Sequence, residues 1–170
     1  MRDYISINRV ANLHPKVRED VTRCIEQAEA QFPKNMAIRV VQGLRTIEEQ
    51  NALYAQGRTR PGAIVTRAKG GSSYHNYGLA IDFAILKDTD NNGTYETLSW
   101  STIEDFDRDG VKDWMEVVKV FKTNGWAWGG DFSSIKDDPH FEKTFGLGWR
   151  DLLKLYTDKK IIPYTPYVQI

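Results

Sequence analysis

Cysteine occurs once, as Cys24, in a chain of 170 residues. An intramolecular disulfide is therefore excluded, and so is a thiolate cage for zinc, so a metal site here has to use histidine and carboxylate. Net charge is also missing, because 23 Lys plus Arg balance 23 Asp plus Glu. No broad field favours nucleic acid or a membrane surface, and binding has to be local. No stretch approaches the roughly 18 apolar residues of a membrane span. The opening Met-Arg-Asp-Tyr-Ile-Ser-Ile-Asn-Arg lacks the apolar run of a secretory signal. These absences lead us to expect a protein made in the cytoplasm, which something else must release if its target lies outside the membrane. Low-complexity tracts are absent too, and 41% hydrophobic with 12% aromatic residues are globular values. A single domain over 1–170, acting as a monomer, fits this length.

Apolar periodicity supplies the outline. Val17, Val21, Cys24, Ile25, Ala28 and Phe32 recur three or four apart, which predicts an amphipathic helix over 15–32. A β-rich run over 38–42 ends at Gly43. Thr46 and Glu49 have capping-box spacing, so a helix over 47–56 follows and Arg45 falls on a strand-to-helix turn. Residues 57–74 show no period and read as a long loop. Residues 79–85 form a strand interrupted by an acid, and Trp114, Val117, Val118 and Phe121 give a helix ending near Gly125. Short strands at 126–128 and 140–142 flank the Gly129-Gly130 turn, a last helix covers 148–156, and an extended tail closes the chain. Helices and short strands mix without a βαβ rhythm, so the class is α+β.

Histidine is scarce, at three residues. His14 precedes Pro15 at a helix start and reads as a capping or surface residue. His75 and His140 have a different setting, in Ser73-Tyr-His75-Asn-Tyr-Gly78-Leu-Ala80-Ile-Asp82 and Asp137-Asp138-Pro139-His140-Phe141-Glu142. Two imidazoles and one carboxylate make an open zinc set, with a fourth position for water. The seven-residue gap from His75 to Asp82 fits a turn at Gly78 that sets a loop residue beside a strand residue. An acid inside an apolar strand is costly unless a charge or metal compensates it. The bland alternative for each residue alone is a satisfied structural histidine or a hydrogen-bonded acid.

These motifs, with Trp128-Gly-Gly-Asp131-Phe between them, resemble the M15 group of zinc peptidases. That group includes D-Ala-D-Ala carboxypeptidases, VanX and VanY type enzymes, and phage endolysins that cleave between L-alanine and D-glutamate. The resemblance runs from about residue 43 to 149. Gly43-Leu-Arg45-Thr46 with Glu49-Gln50-x-x-Leu53-Tyr54-x-x-Gly57-Arg58 is most similar to the L-alanyl-D-glutamate endopeptidase branch. It implies a hedgehog/D-Ala-D-Ala peptidase-like fold with a small antiparallel sheet. It also implies zinc on His75, Asp82 and His140, and Asp137 as the catalytic carboxylate that takes a proton from water and returns it to the leaving amine. Asp138 competes for that role, although a residue before proline is pushed to an extended conformation that turns its side chain elsewhere. Arg45 is implied to stabilise the oxyanion or bind a substrate carboxylate, its alternative being a salt-bridged arginine. Ser73 is implied to contact substrate or support the metal shell. The expected substrate is the peptidoglycan stem peptide, reached at the wall after holin-type release. A D,D-carboxypeptidase or dipeptidase on the same scaffold, and a non-enzymatic calcium-binding module, are the competing readings.

A second motif stands apart, within an insertion over about 87–116. Asp105, Asp107, Asp109, Val111 (through its carbonyl), Asp113 and Glu116 occupy the ligand positions of a twelve-residue calcium loop, and Gly110 sits at position six. No helix is evident before it, so an EF-hand pair is not implied. Asp88-Thr-Asp90-Asn-Asn92-Gly93 echoes its first half but has Ser99 in place of the closing acid, and reads equally as an Asx-rich turn.

Overall fold

The computed structural model describes residues 1–133 and 135–170. Its centre is β2 (Ala80–Lys87), an apolar strand that pairs antiparallel with β1 (Met36–Gln42) along one edge. The other edge of β2 is shared. Its last residues pair with β3 (Thr97–Ser99) and its first with β5 (His140–Glu142), and β5 pairs in turn with β4 (Ala127–Trp128). The resulting sheet has five strands in the order β1-β2-β5-β4, with β3 paired to β2 off that path.

Strand alternation gives this sheet two different faces. Ile81, Phe83 and Ile85 of β2 point into the core with Phe141 of β5, all at most 1% exposed. Against them lie α2 (Pro15–Glu29) and α4 (Asp113–Thr123). The α2 residues Val17, Val21, Cys24, Ile25 and Ala28 are fully buried, as their spacing predicts. An aromatic chain crosses the core, with Trp114 4.2 Å from Phe83, Phe83 5.4 Å from Phe141 and Phe141 4.5 Å from Phe121. Asp82 belongs to the opposite face, between Ala80 and Ala84, where small neighbours leave room.

Three elements depart from the sequence pattern. The helix predicted over 15–32 ends at Glu29, because Phe32 precedes Pro33 and the α region is disfavoured there; Phe32 still packs into the core. An unpredicted helix, α1 (Tyr4–Ala11), opens the chain, capped by Asp3, which accepts the Ser6 N–H. Its inward face is partly polar: Ser6 is fully buried and accepts the N–H of Val40, and this interrupts the apolar stripe that marks a helix in sequence. β3 also escaped the pattern, lying in the charged stretch after Lys87.

The remaining elements match their predicted positions closely. α3 (Ile47–Ala55) carries the full Thr46–Glu49 capping box, and α5 (Trp149–Thr157) closes the fold. A 3-10 turn at Tyr74–Tyr77 ends the long loop, and a second occupies Gly129–Asp131. His14 does cap α2, its Nδ1 accepting the Lys16 N–H, but it is fully buried and bonds Val168 through Nε2 at 2.9 Å. No helix is long and apolar enough to cross a membrane among the described residues.

Candidate active site

Sheet register brings two of the sequence-marked residues together. Asp82 lies directly opposite His140 in the β2–β5 ladder, so their side chains share a face. His75 arrives from the 3-10 turn, whose end at Gly78 is left-handed with φ 67°. A Cβ at Gly78 would sit 2.6 Å from the backbone nitrogen of His14, so both conformation and space demand glycine there. Ser73 caps this turn and accepts the His75 N–H at 3.3 Å, and the turn is anchored by the Arg45 N–H donating to the His75 carbonyl at 3.0 Å.

His75 Nε2, His140 Nδ1 and Asp82 Oδ1 form a nearly equilateral triangle, with edges of 3.2, 3.1 and 3.2 Å. Tetrahedral zinc with ligands about 2.0 Å away has ligand edges of about 3.3 Å, so the donor set and its spacing fit that ion. The outer nitrogens are held as well. His75 Nδ1 lies 2.8 Å from the Gly43 carbonyl, and His140 Nε2 lies 3.0 Å from Glu142 Oε2. Both partners are acceptors, so each ring carries its hydrogen on the outer nitrogen and turns a lone pair toward the triangle.

Burial opposes ionisation of Asp82, yet the two imidazoles hold its carboxyl below the usual carboxylate range. Burial likewise opposes a charged His140, but Asp82 and Glu142 outweigh it and raise the ring to about 9, so a cation entering the triangle has to displace the proton on Nδ1. Asp137 shifts upward, first through desolvation and then through the negative charge of Asp82.

These groups line one cleft of about 680 Å³, with Arg45, Ser73 and Asp137 on its walls beside the triangle. Asp137 is fixed through its backbone, since its N–H donates to the Gly129 carbonyl at 3.1 Å and its carbonyl accepts the His140 N–H at 3.0 Å. Arg45 donates from Nη1 to Gln50 at 2.9 Å, and its Nη2 lies 3.9 Å from Asp82 Oδ2. Its buried Nε has no partner among the described residues. Phe132 and Trp149 supply apolar wall. Asp138 contributes its carbonyl to Trp128 Nε1 at 2.7 Å and is not part of the cleft lining.

Glu142 and Gln50 are site residues that motif reading did not single out. Glu142 had a signal, because residues two apart on a strand share a face and His140-Phe-Glu142 is such a pair. Gln50 stood within the motif that carries the resemblance but had no role assigned, since its contact with Arg45 depends on how α3 leaves the turn.

A two-imidazole, one-carboxylate triangle beside a further acid and an arginine in an open cleft is an arrangement of hydrolytic metalloenzymes. Comparison with known proteins narrows the class. A family profile described as D-alanyl-D-alanine carboxypeptidase, Peptidase_M15_4, matches residues 66–143. The peptidoglycan L-alanyl-D-glutamate endopeptidase CwlK of Bacillus subtilis (strain 168) is 44% identical over 132 residues, which are 78% of this chain and 74% of that protein. The chain belongs to the M15 peptidase family. The fold matches the crystal structure of the L-Ala D-Glu endopeptidase ChiX of Serratia marcescens, with a TM-score of 0.51 at 23% identity over 84% of this chain and 88% of that one.

Proposed function

We propose that this peptidase hydrolyses the L-alanyl-D-glutamate bond of peptidoglycan stem peptides, with zinc held by His75, Asp82 and His140. The observation that carries the reading is the donor triangle set in one cleft with Asp137 and Arg45. It is supported by the likeness to CwlK over most of both chains. Zinc there supplies a Lewis acid for the scissile carbonyl and lowers the pKa of water. Asp137, whose carboxyl is shifted upward, takes the proton of the attacking water and passes it to the leaving amine. Arg45 stays charged in its half-buried position and offers a fork of donors to the oxyanion or to a substrate carboxylate. Ser73 holds the His75 turn and borders the substrate. On this reading the protein works as a monomer at the cell wall, and holin-type release is its delivery. Residues 105–116 do not line the cleft.

The test is mass spectrometry of purified peptidoglycan digested with the protein, with chelator and after zinc add-back. Chelator-sensitive fragments with a new N-terminal D-glutamate are expected. Free D-alanine instead would move the chain to carboxypeptidase chemistry, and no cleavage under any metal condition would leave a binding module.

A further inference from the structure

The insertion between β2 and α4 holds a second cluster of acids that the cleft does not use. One oxygen each of Asp105, Asp107 and Asp113 lie within 4.8 Å of one another, and so do one each of Asp107, Asp109 and Glu116. The chain wraps around this cluster. Asp105 Oδ1 and Asp107 Oδ1 accept the Asp109 N–H at 3.1 and 3.3 Å, and Asp105 Oδ2 accepts the Gly110 N–H at 3.1 Å.

Glu116 is the decisive residue. It is 5% exposed, it points into the cluster from the first turn of α4, and its Oε2 has no hydrogen-bond partner among the described residues. A carboxylate oxygen buried beside other carboxylates without a donor is unfavourable unless a cation completes it. Burial, then the acids around it, push Glu116 up to about 7, a measure of the same crowding. We propose that residues 105–116 form a calcium site, built from the carboxylates of Asp105, Asp107, Asp109 and Glu116 and the carbonyl of Val111.

Donor chemistry selects the ion. All the groups are oxygens, which suits a hard cation and disfavours zinc. Many carboxylates converging from a turn, with a closing glutamate at position twelve, suit the high and flexible coordination of calcium better than the strict octahedron of magnesium. The neighbouring Asp88–Glu96 turn is a useful contrast. Asp88 accepts from Asn92 and Gly93 at 3.1 and 2.9 Å, and Glu96 is exposed and accepts from Thr89 at 2.9 Å. That turn satisfies itself and contains no buried orphan oxygen among the described residues.

The site is tied to the framework of the sheet. Asp113 accepts the Phe106 N–H through both carboxylate oxygens, at 3.2 and 3.1 Å, and its own N–H donates to Glu104. Glu104 pairs with Lys87 at the end of β2 at 2.5 Å. The residue after Asp113 is Trp114, which packs on Phe83 beside Asp82. Calcium therefore acts as a strut that fastens the insertion and the start of α4 to the strand carrying Asp82.

The experiment is a calcium titration of the full-length, zinc-loaded protein in calcium-free buffer, read by calorimetry and by Tm. Binding of one strong calcium is expected within about 1 µM to 1 mM. A rise in Tm of about 5–10 °C is expected when calcium exceeds Kd by about a hundredfold. Glu116→Gln, and separately Asp105→Asn, should abolish both signals, and Asp90→Asn in the neighbouring turn should leave them intact. Absence of heat and of a Tm shift in the unmodified protein would overturn the proposal. So would a full calcium response in Glu116→Gln, or an equal response to magnesium at equal concentration.

Discussion

Gly129 offers a stringent test of how the site is built, because it carries no chemistry of its own. A methyl group added there would lie 2.2 Å from the Asp137 carbonyl oxygen and 3.0 Å from the Cβ atoms of both Asp137 and His140, where ordinary contact begins near 3.4 Å. The backbone at Asp137 would have to retreat by about 1.2 Å, the difference between those two distances. It would give up the geometry of the Asp137-to-Gly129 hydrogen bond of 3.1 Å. Alanine is compatible with the backbone angles at this position, so the damage is steric rather than conformational. A displacement of that size at a proton-transferring group costs about 10²-fold in rate. Forcing the backbone apart costs about 1–3 kcal/mol, or about 2–12 °C in Tm for a chain of this length. Gly129→Ala is therefore expected to fold, with kcat on a purified stem peptide down about 10²-fold. In the double variant with Asp137→Asn, the added loss should largely disappear, because both changes disable one step. A folded, zinc-replete Gly129→Ala protein with unmodified turnover would refute the argument that this turn positions Asp137.

The other predictions concern separate parts of the molecule. Asp137→Asn should lower kcat by about 10²- to 10⁴-fold while zinc content by atomic absorption stays at one per chain; loss of zinc would make Asp137 a ligand rather than a base. Glu142→Ala removes the acceptor that holds His140 by Nε2 and should weaken zinc about 10- to 100-fold in chelator competition, with no weakening expected if the pair is incidental. His14 is a pH probe, because burial, reinforced by Lys16 and Arg18, lowers its pKa against the opposing Val168 bond. Its neutral form accepts the Lys16 N–H, so its contribution is present above the unfolded value of about 6.5 and is lost as pH falls through the lower folded value. The Tm gap between the unmodified protein and His14→Asn should thus narrow below about pH 6.5, and a constant gap would count against a titrating cap.

The sequence alone carries much of this protein. The α2 stripe, the Thr46–Glu49 capping box, the acid within β2 and the His75 to Asp82 motif all depend on contacts a few residues apart or on strand alternation, and such local rules are written in residue order. It limited the donors open to the proposed metal set as well, since there are one cysteine and three histidines. Local rules fail where a polar group is paired from far away. The α1 helix went unread because Ser6 is buried against β1, and β3 because its place depends on the edge of β2. Tertiary structure alone decided that His75, Asp82 and His140 meet with edges of 3.1–3.2 Å, since that spacing arises from the β2–β5 register and the Gly78 turn together. It also decided that Gln50 holds Arg45, that Glu142 holds His140, and that Glu116 is buried with an oxygen unpartnered among the described residues. Long-range register and burial set those distances, and neither can be read from spacing along the chain.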